Sequence, residues 1–220
     1  MEPIKYEEAI DFEHLYESAI KCKSTVIWKE STSHYMLNVV REIDRLNEKL
    51  STGTYVPREP NQFTITNPKE RHIISIPFVD RVYQRSLNDN ILYPVMTKSL
   101  IYDNCACQTG KGTDFARNRL KTHLGRFYRK YKLEGYVLQI DIHKYYPSMS
   151  HDYIEGLFKK KLDKDTYRAV EEILKHQYKG DVGYNPRQST YTNCRNFCIG
   201  HNRSLLQRKI EVQTIHQIYG

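Results

Sequence analysis

The feature that most constrains this chain is the stretch of residues 137–148 (VLQIDIHKYYPS), in which a short apolar run has one carboxylate at its end and is followed by an aromatic ring and a proline. The run is bounded by Gly135 and Pro147, and its apolar character predicts a strand buried in a sheet. An ionised aspartate in such a strand is costly unless a cation or hydrogen bonds compensate its charge. The sequence therefore predicts that Asp141 has a partner, and a divalent metal ion is one candidate.

Length and charge limit the function classes. The 220 residues suit one large domain or one and a half small ones, and the formal net charge is +8. This charge favours a polyanionic partner, either nucleic acid or an anionic membrane surface. No segment approaches the ~18 apolar residues of a membrane span, and the N-terminus lacks the plan of a signal peptide. We therefore expect a cytoplasmic protein that binds nucleic acid and no membrane.

The cysteines favour neither a disulfide framework nor a zinc site. Their number, five, is odd, which favours reduced thiols in a chain without a signal peptide. Two groups have spacings that invite comparison with zinc ligands, namely Cys105 with Cys107, and Cys194 with Cys198 and His201. Neither group has the paired C-x2-C spacing of a structural zinc site. Buried or incidental thiols are therefore the preferred interpretation.

Hydrophobic periodicity predicts a helical first third, then a hairpin and further helices. One helix covers Ile10 to Ile20, and a better one runs from Met36 to Leu50 and ends near Gly53. Residues 63–66 and 71–76 predict two strands joined by a turn at residues 67–70, and residues 80–92 predict a helix. Later, Ser150 and Asp163 are predicted to cap two helices, and the pattern weakens from about residue 179.

A loop with two glycines precedes the most basic element of the chain. The loop, residues 108–113 (QTGKGT), is not a P-loop, because the earlier glycine is missing and Lys111 is followed by Gly112. The helix predicted after it runs from Thr113 or Asp114 to about Tyr131. It combines an apolar stripe with basic residues on its remaining faces, among them Arg117, Lys121 and Arg126. An ordinary solvated face is the alternative interpretation.

A basic hairpin, a basic helix and a strand carrying an aspartate together favour phosphoryl transfer on a nucleotide. Basic groups such as Lys69 and Arg71 would hold a triphosphate, and a metal-bound carboxylate would activate the attacking hydroxyl. The basic surface would hold the polynucleotide. A turn at Pro147 would bring Tyr146 under the sugar of the incoming nucleotide.

Three blocks in this order resemble bacterial reverse transcriptases, the group that includes group II intron, retron and diversity-generating-element enzymes. Residues 68–84 (PKERHIISIPFVDRVYQ) resemble the fingers block, and residues 102–113 (YDNCACQTGKGT) resemble the block that follows it. Residues 141–149 (DIHKYYPSM) resemble the first palm motif. The ordered combination spans about residues 63–151 and is far more specific than any single block.

The resemblance implies a role for each matching residue. Asp141 would be the first metal-binding aspartate for Mg²⁺ or Mn²⁺, the backbone carbonyl of Ile142 a second ligand, and Tyr146 the steric gate that favours deoxynucleotides. Arg71, with Lys69, would contact the incoming dNTP, although a surface charge on the hairpin is the alternative. The nucleic acid, an RNA template with a DNA primer, would contact the basic residues Arg81, Lys111, Arg117, Lys121 and Arg126. For Arg81 a structural role is the alternative. For Asp141 the alternative is a helix or turn cap.

The sequence departs from the family where the remaining carboxylates belong. Two-metal phosphoryl transfer needs more than one carboxylate, and the family supplies the others in a Tyr-x-Asp-Asp hairpin that is absent from these 220 residues. The preceding block survives only as residues 199–205 (IGHNRSL), where Leu205 replaces the glutamine. A truncated or a frameshifted product would explain this. We therefore expect no polymerisation by this chain alone.

The resulting fold prediction is α+β: right-hand polymerase fingers of helices and a β-hairpin, joined to a partial antiparallel palm. The predicted parts are an N-terminal helical extension (1–60), fingers (61–134) and a partial palm (135–220), whose incomplete sheet would invite association. Two other functions remain open. One is a palm fragment like that of family B DNA polymerases, which residues 71–81 disfavour, and the other is a non-catalytic RNA-binding module of maturase-like or defence-associated kind.

Overall fold

The fold is taken from a computed structural model, which describes residues 2–24, 27–68, 70–105, 108–137 and 150–177, together with Gln139 and Ser148. These residues fall into two compact units. The first unit contains the described residues up to Met96 together with Ser148 and residues 150–177, and the second contains residues 97–137 and Gln139. The three-part division expected from the sequence stays a prediction.

The first unit is mainly helical and has one hairpin. In chain order its described elements are α1 (Tyr6–Ala9), α2 (Phe12–Lys23), α3 (Glu30–Leu37), α4 (Val39–Ser51), β1 (Asn61–Ile65), β2 (Arg71–Ser75), α5 (Phe78–Leu87), a π-helical turn (Asn88–Leu92), α6 (Tyr93–Thr97), α8 (His151–Lys161) and α9 (Lys164–Gln177). The second unit contains α7 (Thr113–Tyr131). Helices with one antiparallel hairpin fit the predicted α+β class.

The core of the first unit lies where α2 packs against α4 and α5. Leu15 and Ala19 of α2, Ile43 and Leu46 of α4, and Val82 of α5 are all buried. Within α2 and within α4, these buried residues are four and three residues apart, a spacing that places side chains on one face of a helix. Burying these faces against each other is the main source of stability for this unit, since removal of apolar surface from water drives folding.

A π-helical turn continues α5 into α6, where the sequence predicted one regular helix ending at Leu92. Pro94 explains the irregularity, because it has no backbone N–H to donate to the preceding turn. The carbonyl of Asn90 instead accepts a hydrogen bond from the backbone N–H of Ile4, at 3.3 Å. The turn thereby holds the N-terminal segment against α5.

Both helix caps predicted after residue 149 are confirmed. Ser150 Oγ accepts a hydrogen bond from the backbone N–H of Tyr153 at 3.4 Å, at the start of α8. Asp163 Oδ1 accepts one from the backbone N–H of Thr166 at 3.0 Å, at the start of α9. The two helices pack together, and their buried apolar residues are Ile154, Phe158, Ala169, Val170, Ile173 and Leu174.

The predicted hairpin is confirmed, with strand limits that differ by one or two residues. Its strands pair in antiparallel register, with Phe63 opposite Ile73 and Ile65 opposite Arg71. Every residue of β1 is exposed. The hairpin is followed at once by α5, whose first turn carries Asp80.

Helix α7 begins and ends where the sequence predicted, at Thr113 and Tyr131. It buries no residue, and Leu120 and Leu124 of its apolar stripe are 59% and 49% exposed.

In the described residues, no helix is both long enough and apolar enough to span a membrane.

Candidate nucleic-acid interface

Asp103 joins the loop that precedes α7 to one face of that helix. Its carboxylate accepts a hydrogen bond from Arg119 Nε and lies 2.8 Å, through Oδ2, from His123 Nε2. Arg119 and His123 are four residues apart and therefore share a helix face. The hydrogen bond from Arg119 is the main reason that the pKa of Asp103 lies below its ordinary value, and His123 lowers it further. This cluster fixes the loop on the helix.

Two cations lie near the ring of Tyr102. Lys111 Nζ is 5.0 Å from the centre of the Tyr102 ring, and the guanidinium carbon of Arg119 is also 5.0 Å from that centre. Lys111 Nζ in addition donates a hydrogen bond to the backbone carbonyl of Tyr102, at 2.7 Å. The Tyr102 ring is nevertheless 65% exposed. An exposed aromatic ring beside two cations is the arrangement on which unpaired bases stack.

The basic residues of α7 extend this cationic surface along the helix. Arg117, Lys121 and Arg126 are all exposed. Arg117 Nη1 lies 3.2 Å from Asp114 Oδ1, but this pair is solvent-exposed and contributes little to stability. At ~1.5 Å per residue the helix is about 28 Å long. Several phosphates of one strand would therefore fit along it.

Four of the sequence-predicted binding residues thus lie in the second unit: Lys111, Arg117, Lys121 and Arg126. Arg81 lies in the first unit on α5, where its guanidinium carbon is 5.9 Å from the Phe78 ring centre. The backbone carbonyl of Arg81 accepts a hydrogen bond from Cys22 Sγ at 3.6 Å. These contacts suit the structural role that the sequence left open for Arg81.

The predicted catalytic residues Asp141, Ile142 and Tyr146 lie outside the described residues, as does Lys69, which was predicted to contact the triphosphate. Most of the predicted strand 137–148 also lies outside them. Arg71 begins β2, and only its backbone position, opposite Ile65, is described.

Sequence reasoning did not single out Tyr102, Asp103, Arg119 and His123 as a cluster. The available signal was the four-residue spacing of Arg119 and His123, together with the acidic residue in the preceding loop. The described residues include no group of three or more His, Cys, Asp or Glu side chains arranged to hold a metal ion.

No protein-family model and no curated protein significantly matches this chain. The resemblance to reverse transcriptases therefore depends on the three sequence blocks alone.

Proposed function

We propose that this chain is the fingers and first palm segment of a bacterial-type RNA-directed DNA polymerase. The order of its elements supports the proposal: a hairpin leads directly into α5, and a glycine-containing loop leads into the basic helix α7. The sequence blocks of the family resemblance fall on these same elements. RNA template, DNA primer and dNTP are the proposed ligands.

The observation that carries the nucleic-acid part is the surface formed by Tyr102, Lys111, Arg119 and the exposed basic residues of α7. We call this set the α7 surface. Helix α7 buries no residue, and Lys121 and Arg126 are among its exposed cations. Cations supply most of the sequence-independent affinity for a polynucleotide, and an exposed ring adds stacking with single-stranded bases.

In the complete polymerase, Asp141 and the carbonyl of Ile142 would hold Mg²⁺, and Tyr146 would select deoxynucleotides. The metal ion would supply charge stabilisation for nucleotidyl transfer. Since the 220 residues contain no Tyr-x-Asp-Asp sequence, the proposal includes the absence of polymerisation by this chain alone.

Nucleic-acid binding is tested by fluorescence anisotropy with a labelled single-stranded RNA. The double variant Lys121→Glu, Arg126→Glu reverses two charges on α7 and is expected to weaken binding by at least about tenfold. Its matched control is Lys159→Glu, Lys160→Glu on α8, which changes the net charge equally at two other exposed positions. Tyr102→Ala should weaken binding to single strands more than to duplexes. Equal losses in the α7 and α8 variants would contradict a specific α7 surface.

Primer extension tests the catalytic part of the proposal. The chain is incubated with Mg²⁺, dNTPs and a DNA primer on an RNA template, beside the variant Asp141→Ala. We expect no incorporation with either protein. Incorporation that disappears in Asp141→Ala would show that the chain is a complete enzyme and would overturn this part of the proposal.

A non-catalytic RNA-binding module is the second candidate, and the α7 surface favours it because the described contacts serve binding. The two candidates differ in how binding responds to the metal. RNA affinity that is unchanged by Mg²⁺ and by Asp141→Ala supports the module. Tighter binding of dNTP and primer-template in Mg²⁺, lost in Asp141→Ala, supports the polymerase segment.

A further inference from the structure

The first unit contains a cavity of about 400 Å³ that lies apart from the residues used above. Its walls come from α1, the C-terminal end of α4 with the segment after it, α5 and α9. Buried apolar residues contribute to its lining, among them Ile10, Leu50 and Ile173. This volume falls in the range of cavities that take a small molecule or a single inserted side chain.

Three tyrosines supply the polar part of the lining. The hydroxyl groups of Tyr6 and Tyr83 are 3.0 Å apart and share one hydrogen bond. The ring of Tyr55 meets that of Tyr83 edge-on, with centroids 5.5 Å apart. Because a hydroxyl oxygen has two acceptor lone pairs, the Tyr6 and Tyr83 pair retains acceptor capacity for a ligand that donates. Tyr83 is only 4% exposed, so this capacity lies inside the unit.

The charged residues of the cavity are mostly acidic, although the whole chain carries a net charge of +8. Glu7, Asp165 and Glu172 line it together with a single cation, Arg168. Arg168 Nε lies 3.6 Å from Glu172 Oε1. The C-terminal end of α4, at Ser51, also borders the cavity and presents the negative end of a helix dipole.

The tyrosines report the same electrostatic field. Burial is the largest cause of the raised pKa of Tyr6, and the charges of Glu172, Asp165 and Glu7 raise it further. The carboxylate charges that disfavour a phenolate at Tyr6 favour a cation at the same place. Aromatic rings with nearby carboxylates are a common setting for ammonium and guanidinium groups.

We propose that this cavity binds an organic cation, an alkylammonium or guanidinium group carried on an apolar stem. The stem packs on the apolar lining, and the charged head lies among the tyrosine oxygens and the carboxylates. Two sources offer this chemistry, a free polyamine and a lysine or arginine side chain of a partner. The same charges disfavour an anionic ligand.

Calorimetric titration of the nucleic-acid-free chain tests the proposal. The probes are butylammonium, butylguanidinium and the uncharged n-butanol, whose stem is the same. We expect saturable binding of the cations and none of the alcohol. The variant Glu172→Gln should weaken cation binding about fivefold, which is the scale of one partly exposed ion pair.

Glu171→Gln is the matched control, because Glu171 is the neighbouring residue of α9, does not line the cavity and instead lies 3.0 Å from Lys175 Nζ. It should leave the affinity unchanged. Equal binding of alcohol and cations, no saturable binding of any probe, or equal losses in the two variants would overturn the proposal.

Two further probes identify the source. Spermidine represents a free polyamine, and a short neutral peptide with one central arginine represents a partner side chain. The probe that binds more tightly, with a loss in Glu172→Gln, identifies the ligand. If neither probe binds, the result counts against the cation site. It leaves the polymerase proposal unaffected, because the two proposals depend on different residues.

Discussion

Asp80 is the residue at which charge and burial conflict most clearly. It is 1% exposed, yet its Oδ1 accepts hydrogen bonds from Tyr55 Oη at 2.8 Å and from the backbone N–H of Arg58 at 3.2 Å. Its Oδ2 is buried and has no partner among the described residues. Burial raises the pKa of Asp80, and these hydrogen bonds only partly oppose the shift.

The raised pKa of Asp80 predicts a particular dependence of stability on pH. Below the ordinary value of 3.8 the carboxyl is protonated in both states, and its stabilising contribution is complete there. As pH rises through the folded pKa, the native state must lose a proton that it holds more tightly than the unfolded state, so this contribution is lost. Asp80→Asn, which stays neutral, is therefore expected to gain stability relative to the wild type at pH 7 compared with pH 4.

Urea unfolding followed by circular dichroism at several pH values between 4 and 7.5 measures this difference. Asp44→Asn, an exposed position on α4, is the control and should show no such trend. A constant difference between Asp80→Asn and the wild type across this range would contradict the prediction.

At the scale of elements, the cap of α9 gives the sharpest prediction. Asp163 accepts hydrogen bonds from the backbone N–H groups of Thr166 and Asp165, and from Thr166 Oγ1 at 2.7 Å. Asp163→Ala should therefore lower the free energy of unfolding by about 1 to 2 kcal/mol. Ser150→Ala at the start of α8 should cost less, because its single bond is 3.4 Å long.

The two caps also differ in how they respond to acid. Burial raises the pKa of Asp163, but the hydrogen bonds from Thr166 outweigh it, and the net pKa is lowered. The contribution of Asp163 is therefore complete above its ordinary value of 3.8 and is lost as pH falls through the lower folded pKa. Thermal unfolding at pH 7 and pH 3 checks this trend. A larger loss of unfolding free energy in Ser150→Ala than in Asp163→Ala would contradict the expected order of the two caps.

Local sequence signals predicted some elements well and others poorly. The hairpin, α7 and the caps at Ser150 and Asp163 depend on turn residues, periodicity and capping side chains, which are local. In contrast, the predicted helix from Met36 to Leu50 is broken at Asn38 into α3 and α4. Val40, an apolar residue within this predicted helix, is 61% exposed. Which face is buried depends on the neighbouring helices, and periodicity alone does not specify them.

The candidate interface shows the same division. The basic residues of α7 and its limits could be read from the sequence. The cluster of Asp103 with Arg119 and His123 could not, because the position of Asp103 beside the helix is a tertiary contact. The contact between the cavity tyrosines could not be predicted for the same reason, because Tyr6 and Tyr83 are 77 residues apart in the chain.

At the scale of the whole molecule, the net charge of +8 predicts binding that weakens steeply with salt. For single-stranded nucleic acid, the logarithm of affinity falls with the logarithm of salt concentration by about 0.7 per neutralised phosphate. If the α7 surface makes about five such contacts, the slope is about −3.5.

The variant Lys121→Glu, Arg126→Glu should reduce the size of that slope by about 1.4, and the α8 control should leave it unchanged. Anisotropy titrations between low and physiological salt measure both slopes. An unchanged slope in the α7 variant would show that phosphates bind elsewhere on the molecule.

The backbone hydrogen bond between Ile4 and Asn90 has a consequence for folding during synthesis. Together with the contacts of Tyr6 with Tyr83 and of Ala9 with Ser86, it can form only after α5 and the π-helical turn have left the ribosome. At about 5 to 20 residues per second, α1 waits about 4 to 15 seconds for its partners. During that interval α2 lacks its α5 partner, so the nascent chain is more exposed to chaperones and proteases before α5 has been synthesised.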